Sequence, residues 1–398
     1  MGSRPMRILL SCLQGAAGHP IPAYAQWRRH FTNGLREGGH EVHEIPGVDW
    51  AEGLVHPAGP ALEAWKARSW DAALAFARTE HGRAPIDLWL GYLFPRQIEP
   101  AAIETLQRLG IPCVNFFCDN LREFRRPPAA LRPFALHWVP ELEALPMYRA
   151  EGLPHLHAPM PCWVPEALRR PPEAETEPAT FIGSADLLRR DFLARSFAAG
   201  ADLVVRGPGW DEAPSPPVGA RARTRRPLAA IAGDRLARAR SHGAGVLLRE
   251  VERRVRPLRP RPISHRHLFG AVSDADYVRI TREAQVTIGL NRVPTLGASD
   301  RRPLVYSRLR DLEAPMLGAC YLAEWSAGLE HLFEPGREIE TFRTPEELAA
   351  QLAALKRDPK RRGELRARAQ RRALAEHSVT RSLERIRAAL GIAGAAKA

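Results

Sequence analysis

The sequence predicts an α/β protein built from two parallel-sheet domains. Short runs of buried-strand character alternate with helical patterns along most of the chain. A proline-rich, acidic stretch at residues 159–178 interrupts this alternation, as a linker between domains does. The chain has 398 residues, which is enough for two domains that each bury a core of their own.

The first domain opens with a strand at residues 6–12, a helix at 23–37 that Gly38 ends, and a strand at 41–45. This order is the opening βαβ unit of a Rossmann-like domain. The elements predicted after it are a helix at 62–78, a strand at 86–90, a helix at 99–109, and strands at 113–117, 136–139 and 155–158.

The second domain begins with a strand that ends at Gly183 and a helix over residues 185–199. A strand at 203–206, a helix near 274–284 and a strand at 286–290 follow it. The elements predicted beyond these are a helical run from Arg310 that breaks at Gly318, strands at 319–322 and 339–342, and helices at 345–357, 360–375 and 380–390. We expect domains at 1–165 and 179–376, a linker at 166–178, and a terminal segment at 377–398.

The stretch from Arg310 to Phe342 carries the main candidate binding residue, Glu313. An ionised glutamate accepts two hydrogen bonds at once, which suits the vicinal hydroxyls of a ribose. Without that role, Glu313 would cap the helix or face solvent. Arg310 lies one helical turn earlier on the same face, so it either pairs with Glu313 or reaches the diphosphate of a ligand.

The same stretch resembles the signature of the CgeB-like, spore-maturation-protein-like glycosyltransferases. The positions that carry the resemblance are Arg310, Glu313, Ala314, Gly318, Gly328, Leu329, Leu332, Phe333, Pro335, Gly336 and Glu338, with Glu376, His377, Ser378 and Arg381 near the end. It implies a bacterial enzyme of the two-domain GT-B class, with a cleft between the domains and a last helix that crosses back to the first. Related retaining families carry another glutamate where this chain has Val305, so the role of that glutamate is not carried over.

The resemblance also implies donor-binding loops after the first two strands of the second domain. Glycine permits a close backbone approach, and helix N-termini attract phosphate. We therefore predict that the donor site contains Gly183, Ser184, Arg190, Gly207, Gly209, Arg310, Glu313 and Gly318. Ordinary turn chemistry is the alternative explanation for these glycines.

His19 is the candidate general base. The run from Gly18 to Pro22 is similar to the G-H-x-x-P of inverting glycosyltransferases that act on small acceptors, in which that histidine is the base. A neutral imidazole suits removal of a hydroxyl proton near pH 7, and Asp119 is the expected orienting partner. Gly15 and Gly18 would shape the acceptor-side loop. The alternative is that His19 only bonds its own loop.

The net charge of +13 is concentrated in one segment. Residues 221–266 contain fourteen arginines against Asp234, Glu250 and Glu252. We place them in an insertion at 211–266, which is a solvated helical pair, a contact for an anionic acceptor, or a partly disordered stretch. Aromatic residues that would stack on bases are missing from it, which argues against sequence-specific RNA recognition.

The composition excludes several other classes of protein. The five scattered cysteines indicate reduced thiols, and neither pair of histidines, at 155 and 157 or at 265 and 267, has a partner typical of a metal site. No apolar run approaches the roughly 20 residues of a bilayer span, and no signal peptide is evident, so the cytoplasm is expected.

These observations together predict a glycosyltransferase that uses a UDP- or GDP-type sugar donor and an unidentified acceptor, with neither a metal nor a cofactor. The alternative is a non-catalytic carbohydrate- or polymer-binding protein on the same scaffold.

Overall fold

The computed structural model describes residues 4–13, 23–56, 59–210, 245–295 and 298–392. These residues fold into two compact units, and the predicted α/β class is confirmed. One unit is formed by Met1–Trp163 with Ala375–Ala398, and the other by Val164–Leu374. In the described residues, no helix combines the length and the apolar character that crossing a membrane requires.

The first unit contains a six-stranded parallel sheet in the order β2-β1-β3-β4-β5-β6. Its strands are β1 (Arg7–Ser11), β2 (Glu41–Glu44), β3 (Leu88–Gly91), β4 (Cys113–Phe116), β5 (Leu136–Val139) and β6 (His155–His157). The strand order reverses between β1 and β3, so the loops that follow these two strands border the position where such sheets bind ligands.

The second unit contains a second six-stranded parallel sheet, in the order β14-β13-β10-β7-β8-β9. Its strands are β7 (Thr180–Ile182), β8 (Val204–Arg206), β9 (Leu268–Phe269), β10 (Thr287–Gly289), β13 (Tyr321–Glu324) and β14 (Glu340–Phe342). An antiparallel hairpin is formed by β11 (Arg292–Val293) and β12 (Leu304–Val305). Here the order reverses between β7 and β10.

The helices pack around these sheets. They are α1 (Ala23–Glu37), α2 (Glu52–Val55), α3 (Pro60–Arg83), α4 (Pro100–Arg108), α5 (Asn120–Glu123), α6 (Leu145–Ala150), α7 (Leu187–Ala198), α8 (Gly245–Val255), α9 (Asp274–Glu283), α10 (Arg310–Met316), α11 (Pro345–Arg357), α12 (Pro359–Glu376) and α13 (Val379–Ala389). Short 3₁₀ helices lie at Pro95–Gln97, Ala129–Leu131, Leu142–Ala144, Glu166–Leu168, His265–His267 and Ala327–His331.

The last helix, α13, belongs to the first unit, as the predicted crossing-back requires. Ser378 caps it by accepting a hydrogen bond from the Arg381 amide. Val379 is buried against Gly34 of α1, where an added Cβ would lie 2.7 Å from the Val379 side chain. A glycine in α1 therefore lets the two helices approach closely.

One sequence interpretation changes in the structure. The strand expected at 319–322 lies at Tyr321–Glu324 because Gly318 and Ala319 still donate to carbonyls of α10, at Pro315 and Ala314. The insertion expected at 211–266 is described only in part. Residues 211–244 lie outside the described residues, and α8 at 245–255 is bonded to the domain through Arg253 and Asp300.

Candidate functional site

The candidate site lies at the carboxyl end of β7, next to the point where the second sheet reverses its strand order. The chain leaves β7 through Gly183 and Ser184, and Asp186 then caps α7 by accepting from the Arg189 amide at 2.9 Å. The neighbouring strand β8 leads into Gly207, whose φ is +133°. A Cβ on Gly207 would lie 2.3 Å from the Gly183 carbonyl oxygen, so only glycine lets these two loops touch.

Trp210 fixes the turn that follows β8. Its indole Nε1 donates to the Gly183 carbonyl at 2.7 Å, and its side chain is 1% exposed. Arg190 donates to the Gly209 carbonyl and lies over the Trp210 ring at 5.3 Å. The structure therefore places Gly183, Gly207 and Gly209 together, while Arg190 braces the turn from its side.

Arg189 points toward the loop after β7. Its Nη1 donates to the Ser184 carbonyl at 2.9 Å, and its Nε lies 3.2 Å from Asp186 Oδ2. Burial lowers the pKa of Arg189, and the charges of Arg308 and Arg310 add to this fall, while the Asp186 and Glu324 carboxylates oppose it; together they bring the pKa to about 10. Arg189 therefore lies where further positive charge is unfavourable, and a bound anion would relieve that repulsion.

Helix α10 carries Arg310 into this region. The Arg310 guanidinium donates to the Ile182 carbonyl at the end of β7, and it lies between the rings of Phe181 and Tyr277, at 6.0 and 5.5 Å. Arg310 thus lies beside the β7 loop. Burial acts to lower its pKa, but the Glu313 charge is among the causes that raise it, so both expectations for Arg310 stay open. Tyr277 of α9 was not singled out from the sequence.

Glu313 lies one turn further along α10 and is 3% exposed. Its Oε2 accepts a hydrogen bond from the Tyr277 hydroxyl at 2.5 Å. Burial, followed by the Glu313 charge, raises the pKa of Tyr277 well above its ordinary value, so the hydroxyl remains a donor at physiological pH. The glutamate is therefore held in one orientation rather than facing solvent.

The start of α10 is held in place by a buried carboxylate, Asp311. It accepts from the Tyr321 hydroxyl at 2.6 Å, from Asn291 Nδ2 at 2.9 Å and from the Arg308 amide at 3.0 Å. Burial raises the pKa of Asp311, and these hydrogen bonds act against that rise. Strands β10 and β13 thus position the segment that carries Arg308 and Arg310.

Gly318 lies apart from this cluster. It ends α10 at the opposite end from Arg310, with φ at +81°, and an added Cβ would meet Pro171 and Gln370 at 3.1 Å each. Its position explains its glycine through helix termination and close packing. The structure therefore does not bring Gly318 together with the other predicted donor-site residues.

Of the residues predicted for catalysis and for the acceptor-side loop, Asp119 alone lies in the described part of the chain. His19, Gly15 and Gly18 lie outside the described residues. Asp119 follows β4 and precedes α5, with its carboxylate 4.0 Å from Arg122. Asp119 sits two strands from β1, or about 10 Å at the usual strand spacing.

A buried carboxyl group, Glu141, accompanies Asp119. Its Oε2 accepts from the Asn120 amide at 3.1 Å and from Asn120 Nδ2 at 2.5 Å. Burial, assisted by the Asp119 charge, raises the pKa of Glu141 to about 8. Among the described residues, no group of three or more histidine, cysteine, aspartate or glutamate side chains could hold a metal ion.

Comparison with known proteins gives one family and several similar structures. Residues 189–388 match the family described as glycosyl transferase-like. No curated protein sequence matches the chain. Among solved structures, the chain is similar to sucrose-phosphate synthase from Thermosynechococcus elongatus, with 13% identity, a TM-score of 0.54, and 98% of this chain and 99% of that one covered.

Two further structures give similar values. The chain is 12% identical to HepE from Anabaena, solved with UDP and glucose, with a TM-score of 0.52 over 97% of this chain and 99% of that one. It is 16% identical to AviGT4, a glycosyltransferase involved in avilamycin A biosynthesis, with a TM-score of 0.52 over 98% and 99%. At these identities the likeness establishes the fold, which is GT-B, and family membership rests on the match to residues 189–388.

Proposed function

The chain belongs to the glycosyl transferase-like family and is a glycosyltransferase of GT-B fold, and we propose that its sugar donor is a nucleotide-sugar held at the β7 edge of the second unit. The observation that carries this proposal is that Arg189 and Arg310 donate to the Ser184 and Ile182 carbonyls on either side of Gly183. The charge of Arg308 acts on Arg189 as well. Three cations beside a glycine loop match a diphosphate.

The roles of the individual groups follow from their positions. Arg308 and Arg310 neutralise the diphosphate as the bond to the sugar breaks, and Arg189 adds charge while holding the Ser184 loop. We assign Gly183, Ser184, Gly207 and Gly209 to the backbone that the phosphates approach. Arg190 supports that backbone at Gly209. The leaving group is thus stabilised by arginine in our proposal, without a metal.

Glu313 is proposed to accept both ribose hydroxyls, with Tyr277 fixing its carboxylate. HepE, which shares the fold, is solved with UDP and with UDP-glucose, and this supports a uridine nucleotide as the first donor to test. A GDP-type donor is the second. Within the family, we propose that the chain belongs to the CgeB-like branch, on the motif from Arg310 to Glu338.

A general base is the remaining requirement if the reaction inverts the sugar's configuration. We propose His19 for this role, with Asp119 as the group that orients it. Because Asp119 lies two strands from β1, the loop that carries His19 has to extend across β3 for the two side chains to meet. Glu141 is buried beside Asp119, and in this scheme it does not remove the proton from the acceptor's hydroxyl group.

The proposal for His19 makes a kinetic prediction. His19→Ala should lower turnover by about 10²–10⁴-fold, the range for loss of a general base, while donor affinity stays unchanged. Asp119→Asn should lower turnover less, and the double variant should be little worse than His19→Ala, because the two residues act as one unit. A His19→Ala enzyme with most of its activity would argue for a retaining mechanism instead.

A hydrolysis screen tests the donor assignment without knowledge of the acceptor. The protein is incubated with UDP- and GDP-linked sugars, and the released nucleoside diphosphate is measured. We expect one donor to be hydrolysed and its diphosphate product to raise the melting temperature. If neither UDP nor GDP stabilises the protein and no donor is hydrolysed, the proposed nucleotide-sugar site is wrong.

A further inference from the structure

Helix α8 is held to its domain by Val246 and Arg253, while two valines near its C-terminal end face solvent. Val246 is 1% exposed, and Arg253 donates from Nε to Asp300 Oδ1 at 3.0 Å and from Nη2 to the Thr295 carbonyl at 2.7 Å. Val251 and Val255 lie four residues apart on one face of the helix, and they are 53% and 71% exposed. The outward face of a surface helix is ordinarily polar, so two exposed valines on one face require an explanation.

The stretch from the end of α8 to residue 273 is cationic and contains no acidic residue. Residues 253–273 contain six arginines, with neither aspartate nor glutamate. Five of these arginines are exposed, and none of the five makes an ion pair with any residue in the described part of the chain: Arg254, Arg256, Arg259, Arg261 and Arg266. Arg253 differs, because it pairs with Asp300.

Exposed arginines that make no ion pair with the described residues repel one another, so they do not stabilise the described part of the unit. Their charge is instead available to a negatively charged surface outside the protein. The two exposed valines adjoin them on the same helix, and aliphatic side chains gain free energy only where water is excluded. The surface that matches both features is negatively charged and has an apolar layer beneath its charges.

We propose that residues 251–266, the exposed face of α8 and the arginines after it, dock on the surface of an anionic lipid bilayer. The arginines would contact lipid headgroups while Val251 and Val255 enter the boundary between headgroups and acyl chains. This inference does not depend on the identity of the sugar donor.

Nucleic acid is the other polyanion that arginines could attract. Single-stranded nucleic acid binds through base stacking on aromatic side chains as well as through charge, and residues 221–266 contain no aromatic residue. Phosphate contacts alone would leave Val251 and Val255 without a role. A loss of binding on removal of these valines therefore separates a membrane from a nucleic acid.

Vesicle flotation tests the proposal on the full chain. Wild-type protein should float with phosphatidylcholine vesicles that contain about 30% phosphatidylglycerol and should remain behind with pure phosphatidylcholine. Binding should weaken as salt is raised. Val251→Ser with Val255→Ser should lower the affinity for anionic vesicles roughly tenfold. Val55→Ser, at a valine of the other unit that is 48% exposed, is the matched control and should bind like wild type.

The arginines are tested in the same assay. Changing Arg254, Arg256 and Arg259 to Gln should lower affinity roughly a hundredfold, because each contributes separately near an anionic surface. Arg29, Arg36 and Arg78 are three exposed arginines of the other unit. Changing them to Gln removes the same charge and should lower the affinity for vesicles less than about threefold. Equal losses in the two triple variants would overturn the assignment to this segment.

A fluorescent label reports insertion directly. The native cysteines are all buried, so Val255→Cys offers one exposed thiol for an environment-sensitive dye. The emission should shift to the blue with anionic vesicles, whereas the same dye at Val55→Cys should not respond. An unshifted dye overturns the proposal, and so does a valine variant that binds vesicles like wild type. A homopolymeric RNA that binds more tightly than the vesicles and displaces them would identify a nucleic-acid surface instead. Melting temperatures equal to the controls confirm that each variant is folded.

Discussion

The carboxylate of Glu313 is buried, and the Tyr277 hydroxyl donates to it at 2.5 Å. A buried carboxylate that lacked such donors would become protonated, and it would then bind ribose hydroxyls less strongly. Tyr277 also lies under the Arg310 guanidinium, so one aromatic side chain positions both the proposed ribose ligand and one of the proposed phosphate ligands.

Replacing Tyr277 by Phe tests this positioning role. The variant keeps the ring beneath Arg310 but loses a hydrogen bond to a charged group, which is worth about 1.5–3 kcal/mol. We expect nucleoside diphosphate affinity to fall about 3–10-fold, and the double variant to bind no more weakly than Glu313→Gln alone, since Tyr277 acts through Glu313. Calorimetric titration of the two single variants and the double variant measures this. Additive losses would show that Tyr277 acts independently of Glu313.

Glu141 makes the stability of the first unit depend on pH. Burial raises its pKa to about 8 in the folded protein, against about 4.3 in an unfolded chain. Between these values the folded state keeps a proton that the unfolded state has lost, so stability is full below about pH 4.3 and falls as the pH rises through 8.

Glu141→Gln should remove this loss. The amide nitrogen would take the place of Oε1, which accepts no hydrogen bond from a described residue, and the carbonyl oxygen would keep both donors from Asn120. At pH 9 the variant should be more stable than wild type by about 1–3 kcal/mol, while at pH 5 the two should be alike. Thermal melts across this range provide the measurement, with the exposed Glu104→Gln as control. An identical pH dependence in wild type and variant would contradict the assignment.

At the scale of single residues, the sequence predicted Glu313 and Arg310 because both belong to a long motif. It predicted Arg190 for the donor site, whereas Arg189 is the residue that donates to the Ser184 carbonyl. Which of the two neighbours faces that loop depends on where α7 begins, which the Asp186 cap decides, and a shift of one residue turns a side chain by about 100° around the helix. Tyr277 lies in α9, 36 residues before Glu313, and only folding brings them together.

Among the elements, the contact between the loops after β7 and β8 matters most for the site. Gly207 lies against the Gly183 backbone, and Trp210 bonds the Gly183 carbonyl from the other side. A rigid pair of loops keeps their amides in place before a ligand arrives, so little ordering is required on binding.

Gly207→Ala should therefore disturb both the fold and the site. Its Cβ would meet a backbone oxygen at 2.3 Å, and its φ of +133° is unfavourable for alanine. We expect a loss of about 2–4 kcal/mol in the stability of the second unit, together with weaker nucleotide binding. Gly336→Ala is the control, because its φ is +78° but nothing lies near the added Cβ, and it should cost about 1 kcal/mol. Equal melting temperatures for the two variants would contradict the close contact.

The sequence placed most elements within a few residues because alternating strand and helix patterns are local. It did not reveal that α8 is attached to the β11–β12 hairpin through Arg253 and Asp300. Those residues are 47 positions apart, and an arginine-rich helix gives no signal of which arginine turns inward.

At the scale of the whole molecule, the candidate residues are distributed over two units, each built on a parallel sheet. The family match covers residues 189–388, which include the arginine cluster and Glu313. The first unit carries Asp119 and the buried Glu141, and α13 returns the chain to it. Repeated βα units predict this architecture from sequence, because each parallel strand requires a crossover connection. We propose that the acceptor binds to the first unit, and the sequence of that unit resembles the family only weakly, so the acceptor's identity could not be predicted.

The most direct test of the central claim is a calorimetric titration of UDP and GDP into wild type, Arg308→Gln and Arg195→Gln. The charge of Arg308 helps to lower the pKa of Arg189, so Arg308 belongs to the proposed diphosphate site. Arg195 lies on the same α7 helix as Arg189 but pairs with Asp191. The donor-site assignment predicts that wild type binds one of the two nucleotides. It predicts that Arg308→Gln loses about tenfold or more in affinity with a weaker salt dependence, and that Arg195→Gln is unchanged. Equal binding by all three proteins, or no binding by wild type, would contradict a diphosphate site at the end of β7.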